Sequence, residues 1–195
     1  MSSAHRNSLL IASPDSHTIR KVPQPNAIGH DVLTQKRIHF LAQEVLRPEN
    51  NFDILRAPCL VPHSMNSYDY VMERVDTSFP IFPRENECMA VFTQDQRQTL
   101  ERELVRFWAR MWEHGFAPWG YDLFYQPDGS VVLLDFDKFA FRRNQGWGPL
   151  SLEFPYQDYH DQYRHFFEFM GFPERLEERL LYDHDIRIRY PEPQQ

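Results

Sequence analysis

The run from Tyr121 to Asp137 constrains this chain most: two short β-prone segments flank an Asp128-Gly129 pair. Gly accepts positive φ without penalty and Asp tolerates it, so Asp128-Gly129 is a strong signal for a two-residue turn. Leu123–Tyr125 and Val131–Leu134 then read as antiparallel strands. Asp122 and Asp135 stand at the outer ends of those strands, and pairing across the turn is expected to bring the two carboxylates to the same end. Two hard oxygen ligands close together suit Mg²⁺, which takes one or two carboxylates and fills its shell with water and phosphate oxygens. Two solvated strand-end aspartates are the plain alternative, since most surface carboxylates do no chemistry.

Upstream, Leu9–Ala12 and His17–Val22 are β-prone runs joined by Ser13–Ser16, a turn-rich linker. Between Asp31 and Arg47, apolar residues at Val32, Leu33, Ile38, Leu41, Ala42, Val45 and Leu46 keep helical spacing, and Pro48 ends the run. Ile54–Val61 and Tyr68–Val75 are two further strand candidates around a polar turn at His63–Ser67. Gln94–His114 is expected as a long amphipathic helix. Leu100, Leu104, Phe107, Trp108, Met111 and Trp112 fall on one face, Arg97, Glu101, Arg102, Glu103 and Arg110 mostly off it, and Gly115 is its C-terminal stop.

In this order, the segments resemble the protein kinase-like superfamily from about residue 9 to residue 140. Asp135-Phe136-Asp137 stands in place of the Asp-Phe-Gly motif, and Asp122 falls on the position of the metal-binding Asn of the catalytic loop. The acidic third position looks more like the atypical and small-molecule kinase branches. The resemblance implies an α+β, two-lobed kinase-like fold over residues 1–195. Residues 1–75 would form a truncated N-lobe sheet and hinge, and residues 76–195 a small, mainly helical C-lobe. It also implies ATP and Mg²⁺ as cofactors. Lys21 then matches the strand lysine that holds the α- and β-phosphates, Glu44 its ion-pair partner and Met72 the gatekeeper. Glu73 and Val75 would offer backbone carbonyl and amide to an adenine edge, and Asp122 and Asp135 would bind the metal.

Departures from the family pattern are equally informative. Counting back from Asp122 puts Ala117 where the catalytic Asp of H-R-D-x-x-x-x-N belongs, and alanine cannot act as a base. With a shortened loop Asp122 itself takes that role, with Asp137 or His114 as substitutes. Met1–Ser8 contains no Gly, so a Gly-rich lid over the phosphates is absent from the pattern. After Asp137 there is room for two helices, Tyr156–Met170 and Pro173–Tyr182, with no Ala-Pro-Glu signature, which argues against a peptide-docking C-lobe. Gln145–Leu150 reads as a loop in the place of an activation segment, with Trp147 packing on the second lobe.

A chain of 195 residues with 42% hydrophobic and 15% aromatic content can bury one core shared by two lobes. A formal net charge of −7, with no Lys or Arg run longer than a pair, sets an unfavourable average field for nucleic acid, the local pair Arg142-Arg143 aside. Neither a signal segment nor a membrane-length apolar run is present, so Cys59 and Cys88 are expected as reduced thiols in a cytoplasmic protein with no membrane partner. The spacing of His160, Asp161 and His165 matches no zinc pattern.

Three functions follow. The first is an ATP- and Mg²⁺-dependent phosphotransferase acting on a small molecule or an accessible side chain. The second is a pseudokinase that serves as a nucleotide-binding or protein-interaction module without turnover. The third is an unrelated α+β interaction protein in which the matches are accidental.

Overall fold

The structure is a computed structural model and describes residues 4–5, 8–13, 17–23, 32–61, 70–82, 92–118, 122–136, 139–141, 153–155 and 187–189. In chain order the elements are β1 (Ala4–His5), β2 (Ser8–Ala12), β3 (Thr18–Pro23), α1 (Val32–Val45), β4 (Leu55–Arg56), β5 (Tyr70–Glu73) and β6 (Pro80–Phe82). There follow α2 (Gln94–Glu113), β7 (Phe116–Pro118), β8 (Asp122–Tyr125), β9 (Val131–Leu134), β10 (Phe139–Phe141), β11 (Glu153–Pro155) and β12 (Arg187–Arg189). Among the described residues the chain is thus α+β. The helices expected at Tyr156–Met170 and Pro173–Tyr182, the loop Gln145–Leu150, Arg142, Arg143, Cys88 and the His160–His165 group lie outside the described residues.

The chain divides into two compact units, Met1–Phe79 with Leu123–Asp137, and Pro80–Asp122 with Lys138–Gln195. The hairpin that follows Asp122 is therefore part of the first unit, which differs from the division at residue 75 expected from the sequence. The physical reason is strand pairing: β9 joins β4 in parallel, with Leu55 opposite Val131 and Arg56 opposite Val132, and Val131 N donates to Ile54 O at 2.7 Å.

In the first unit, β1, β2, β3 and β5 form an antiparallel sheet in that order. Ile19 stands opposite Met72 and Arg20 opposite Val71. On its other edge β5 meets Cys59–Val61, through a bridge between Leu60 and Met72 and bonds from Val61 N to Val71 O and Glu73 N to Cys59 O. Separately, β4, β9 and β8 lie side by side in that order. The middle strand is covered on both faces, since Val131, Val132 and Leu133 are all fully buried although successive side chains point to opposite sides.

The turn of this hairpin differs from the expected two-residue form. Gly129 N donates to Gln126 O and Gln126 N to Ser130 O, so the loop is Pro127-Asp128-Gly129. Proline fixes φ near −65°, which suits the first central position of a type I turn, and Gly129 then closes the loop at φ 87°. Asp128 Oδ1 accepts from both the amide and the hydroxyl of Ser130, which holds its carboxyl below the usual range.

In the second unit, α2 starts with a capping box. Thr93 Oγ1 accepts from Gln96 N at 3.2 Å, and Gln96 Oε1 accepts from Thr93 N at 3.0 Å. The expected apolar face of α2 is buried at all six named positions. Glu101 and Glu103, expected mostly off that face, are buried as well. Gly115, at φ 84°, ends the helix, and its amide donates to Trp112 O. β7 pairs antiparallel with β10, and β11 pairs in parallel with β12.

Candidate functional site

Lys21 is 7% exposed, an uncommon setting for a lysine. Side chains alternate along a strand, so Lys21 shares a sheet face with Ile19, and Ile19 is registered opposite Met72. Met72 packs against Ile19 and Leu60, which makes that face apolar around the lysine. Arg20, between them in sequence, is exposed.

On α1, His39 feels the charge of Lys21. This imidazole is wholly buried, and its pKa is pushed down from 6.5 to about 4, first by burial and secondarily by the charge of Lys21; a hydrogen bond to Pro58 O works against both. Nε2 lies 2.7 Å from Pro58 O. A carbonyl only accepts, so Nε2 carries the proton and the ring is neutral near pH 7.

The expected pair between Lys21 and Glu44 is not the one formed. Glu44 binds Arg47, three residues on, and both side chains are more than one-third exposed. The buried arc of α1 instead runs through Gln35, Lys36, Ile38, His39, Ala42 and Val45. Up to His39 it is polar except for Ile38, and beyond His39 it is apolar; helical periodicity alone does not reveal that Gln35, Lys36 and His39 face inward.

Phe136, 2% exposed, stacks on His39 with ring centroids 4.3 Å apart and planes 18° from parallel. The residue before it, Asp135, has φ 75°, in the left-handed region. A non-glycine residue there costs roughly 1–2 kcal/mol, though Asp is among the side chains that tolerate it best. A backbone turned this way immediately before a locked ring fixes where Asp135 stands relative to α1.

Glu73 is occupied by structure. Arg56 Nη1 and Nη2 donate to its two carboxylate oxygens at 2.8 Å each, and Cys59 N donates to Oε2 at 3.1 Å. Burial alone would raise the Glu73 pKa, but the Arg56 and Cys59 hydrogen bonds hold it below the usual range. Arg56 moves the other way, above its ordinary value, because the Glu73 carboxylate outweighs desolvation. Val75 is half-buried in the extended stretch after β5. Cys59 is a free, exposed thiol whose pKa is raised by burial of the sulfur and by the Glu73 charge.

Of the remaining expected residues, Asp122 is half-buried and opens β8, His114 is exposed at the end of α2, and Ala117 lies in β7 with Ala140 as its backbone partner. Asp137 lies outside the described residues. Lys21, Met72 and Asp135 all belong to the first unit, as do His39 and Phe136, which sequence reasoning had not singled out. Among the described residues, no group of three or more His, Cys, Asp and Glu side chains comes together to hold a metal ion. No helix among them is long and apolar enough to cross a membrane.

No protein-family model matches the chain, and no curated protein matches it.

Proposed function

We propose that this chain binds ATP and Mg²⁺ and acts as an atypical kinase-like phosphotransferase on a small molecule or an accessible side chain. The observation that carries this reading is the Asp135-Phe136 step: a carboxylate on a left-handed backbone, followed by a ring stacked on a helix residue that senses the Lys21 charge. Residues held off the common backbone regions concentrate at functional sites, because the surrounding structure must over-determine them. The buried Lys21, on the apolar sheet face shared with Met72, supports an anion-binding role beside a flat apolar ligand.

In this reading Lys21 neutralises phosphate oxygens, and the backbone at Glu73 and Val75 meets the adenine edge. Asp135, with Asp122 at the head of the same hairpin, supplies the hard oxygens that Mg²⁺ prefers. A pair of carboxylates suffices for Mg²⁺, whose remaining positions go to water and phosphate. Asp122 or Asp137 orients the acceptor hydroxyl. Phosphoryl transfer is largely positioning and charge stabilisation, so Ala117 in place of a base lowers the rate without forbidding the reaction. A reducing cytoplasmic location suits the free Cys59.

One observation favours a second reading, a pseudokinase that binds nucleotide without turnover: Glu44, the carboxylate that the kinase pattern assigns to Lys21, pairs with Arg47. Thermal shift with ATP and Mg²⁺, alone and together, separates the two. A shift that needs both, is lost in Asp135→Asn and is accompanied by nucleotide hydrolysis supports the phosphotransferase. A shift by ATP alone without hydrolysis supports the pseudokinase, and no shift under any condition sinks both.

A further inference from the structure

Gln35 is 2% exposed, and neither its Nε2 nor its Oε1 has a hydrogen-bond partner among the described residues. A carboxamide presents two donors and an acceptor, and burying all of them unmade is costly enough that native chains rarely do it without a reason. Its place on the helix suggests the reason. Gln35 precedes His39 by one turn, so the two lie one above the other on the buried face of α1. Lys36, the residue after Gln35, is 1% exposed. The charge of Lys21 is felt at His39, one turn from the amide on this arc, and a positive field strengthens an N–H donated to an anion.

We propose that the Gln35 carboxamide is a ligand contact, with Nε2–H donating to a phosphate oxygen of a nucleoside di- or triphosphate. The inference rests on the nucleotide-binding reading above and adds to it a residue that reads the phosphates directly. Gln35 then contributes recognition where a carboxylate would repel the ligand.

The test uses the full chain, ADP without Mg²⁺ as the probe, and two variants. Gln35→Met keeps the shape and removes every polar atom. Its melting temperature without ligand is expected to equal or exceed that of the parent, because an apolar group replaces an unsatisfied one. Its ADP dissociation constant is expected to rise about tenfold or more. Gln35→Glu is expected to lose at least as much affinity through charge repulsion. Parent-like ADP affinity in either variant would overturn the inference and leave the nucleotide reading standing. A fall of about 5 °C or more in unliganded Gln35→Met would also overturn it, since the amide would then have a structural partner. Failure of the parent chain itself to bind ADP would sink the nucleotide reading and this inference with it.

Discussion

The imidazole of His39 and the phenyl ring of Phe136 lie nearly parallel, 4.3 Å between centroids, and tie the end of the β8–β9 hairpin to α1. Both are almost wholly buried, so the contact is a core contact as well as a positional one. Phe136→Ala is expected to cost about 3–5 kcal/mol of stability. A double-mutant cycle of His39→Leu with Phe136→Leu should return a coupling of about 0.5–1.5 kcal/mol beyond burial. Urea unfolding of the four proteins measures it, and additive effects would mean that the stack holds nothing together.

His39 also predicts a pH dependence with a defined sign. Its folded pKa, about 4, lies below the usual 6.5, so between those values the unfolded chain takes up a proton that the folded chain refuses. The contribution is fully present above about pH 6.5, falls as the pH drops through the window, and is gone below about 4. Its size is about 3 kcal/mol. The urea midpoint of the parent should therefore fall more steeply from pH 7 to pH 4.5 than that of His39→Leu.

The backbone at Asp135 makes its own prediction. Asp135→Val, β-branched at φ 75°, is expected to be about 1–2 kcal/mol less stable than Asp135→Asn or Asp135→Gly, which accept that backbone better. If the carboxylate binds metal, Asp135→Asn nonetheless abolishes the Mg²⁺-dependent part of an ATP-induced melting shift. Calorimetry on the three variants, with and without ATP and Mg²⁺, reads both effects.

Arg56 and Glu73 form a two-pronged pair with each side chain about 30% exposed. Coupling measured through Arg56→Ala and Glu73→Ala should be about 1 kcal/mol at low salt and shrink toward zero in 1 M NaCl. Coupling that survives high salt would show that the two direct hydrogen bonds, rather than screened charge, carry the interaction.

Local order was legible because it is written locally. β2, β3, α1, α2 and the hairpin strands appear where alternation, helical spacing, capping and turn residues put them. Pro127 bears on the turn length, since without an N–H it cannot donate to Ser130 O as the two-residue Asp128-Gly129 turn requires, and Gln126 N makes that bond. What stayed hidden depends on partners far along the chain. A search for apolar spacing assigns Gln35, Lys36 and His39 to solvent, although Gln35, His39, Ala42 and Leu46 keep the helical interval along one arc. For His39 the partners come from elsewhere in the chain: the stacked ring of Phe136 and the charge of Lys21. Glu44 is an acidic residue on the expected helix, but side-chain direction decides which acid can reach across, and Glu44 serves Arg47.

The parallel union of β4 with β9 also bears on how the chain is made. Leu55 leaves the ribosome long before Val131, and at about 5–20 residues per second the wait is roughly 4–15 s. Throughout that interval a strand destined for the interior has no neighbour on that side, and the nascent chain exposes the kind of edge that other chains can join. Biosynthesis of this protein should accordingly lean on chaperones, and slower translation of the stretch between the two strands should lengthen that dependence.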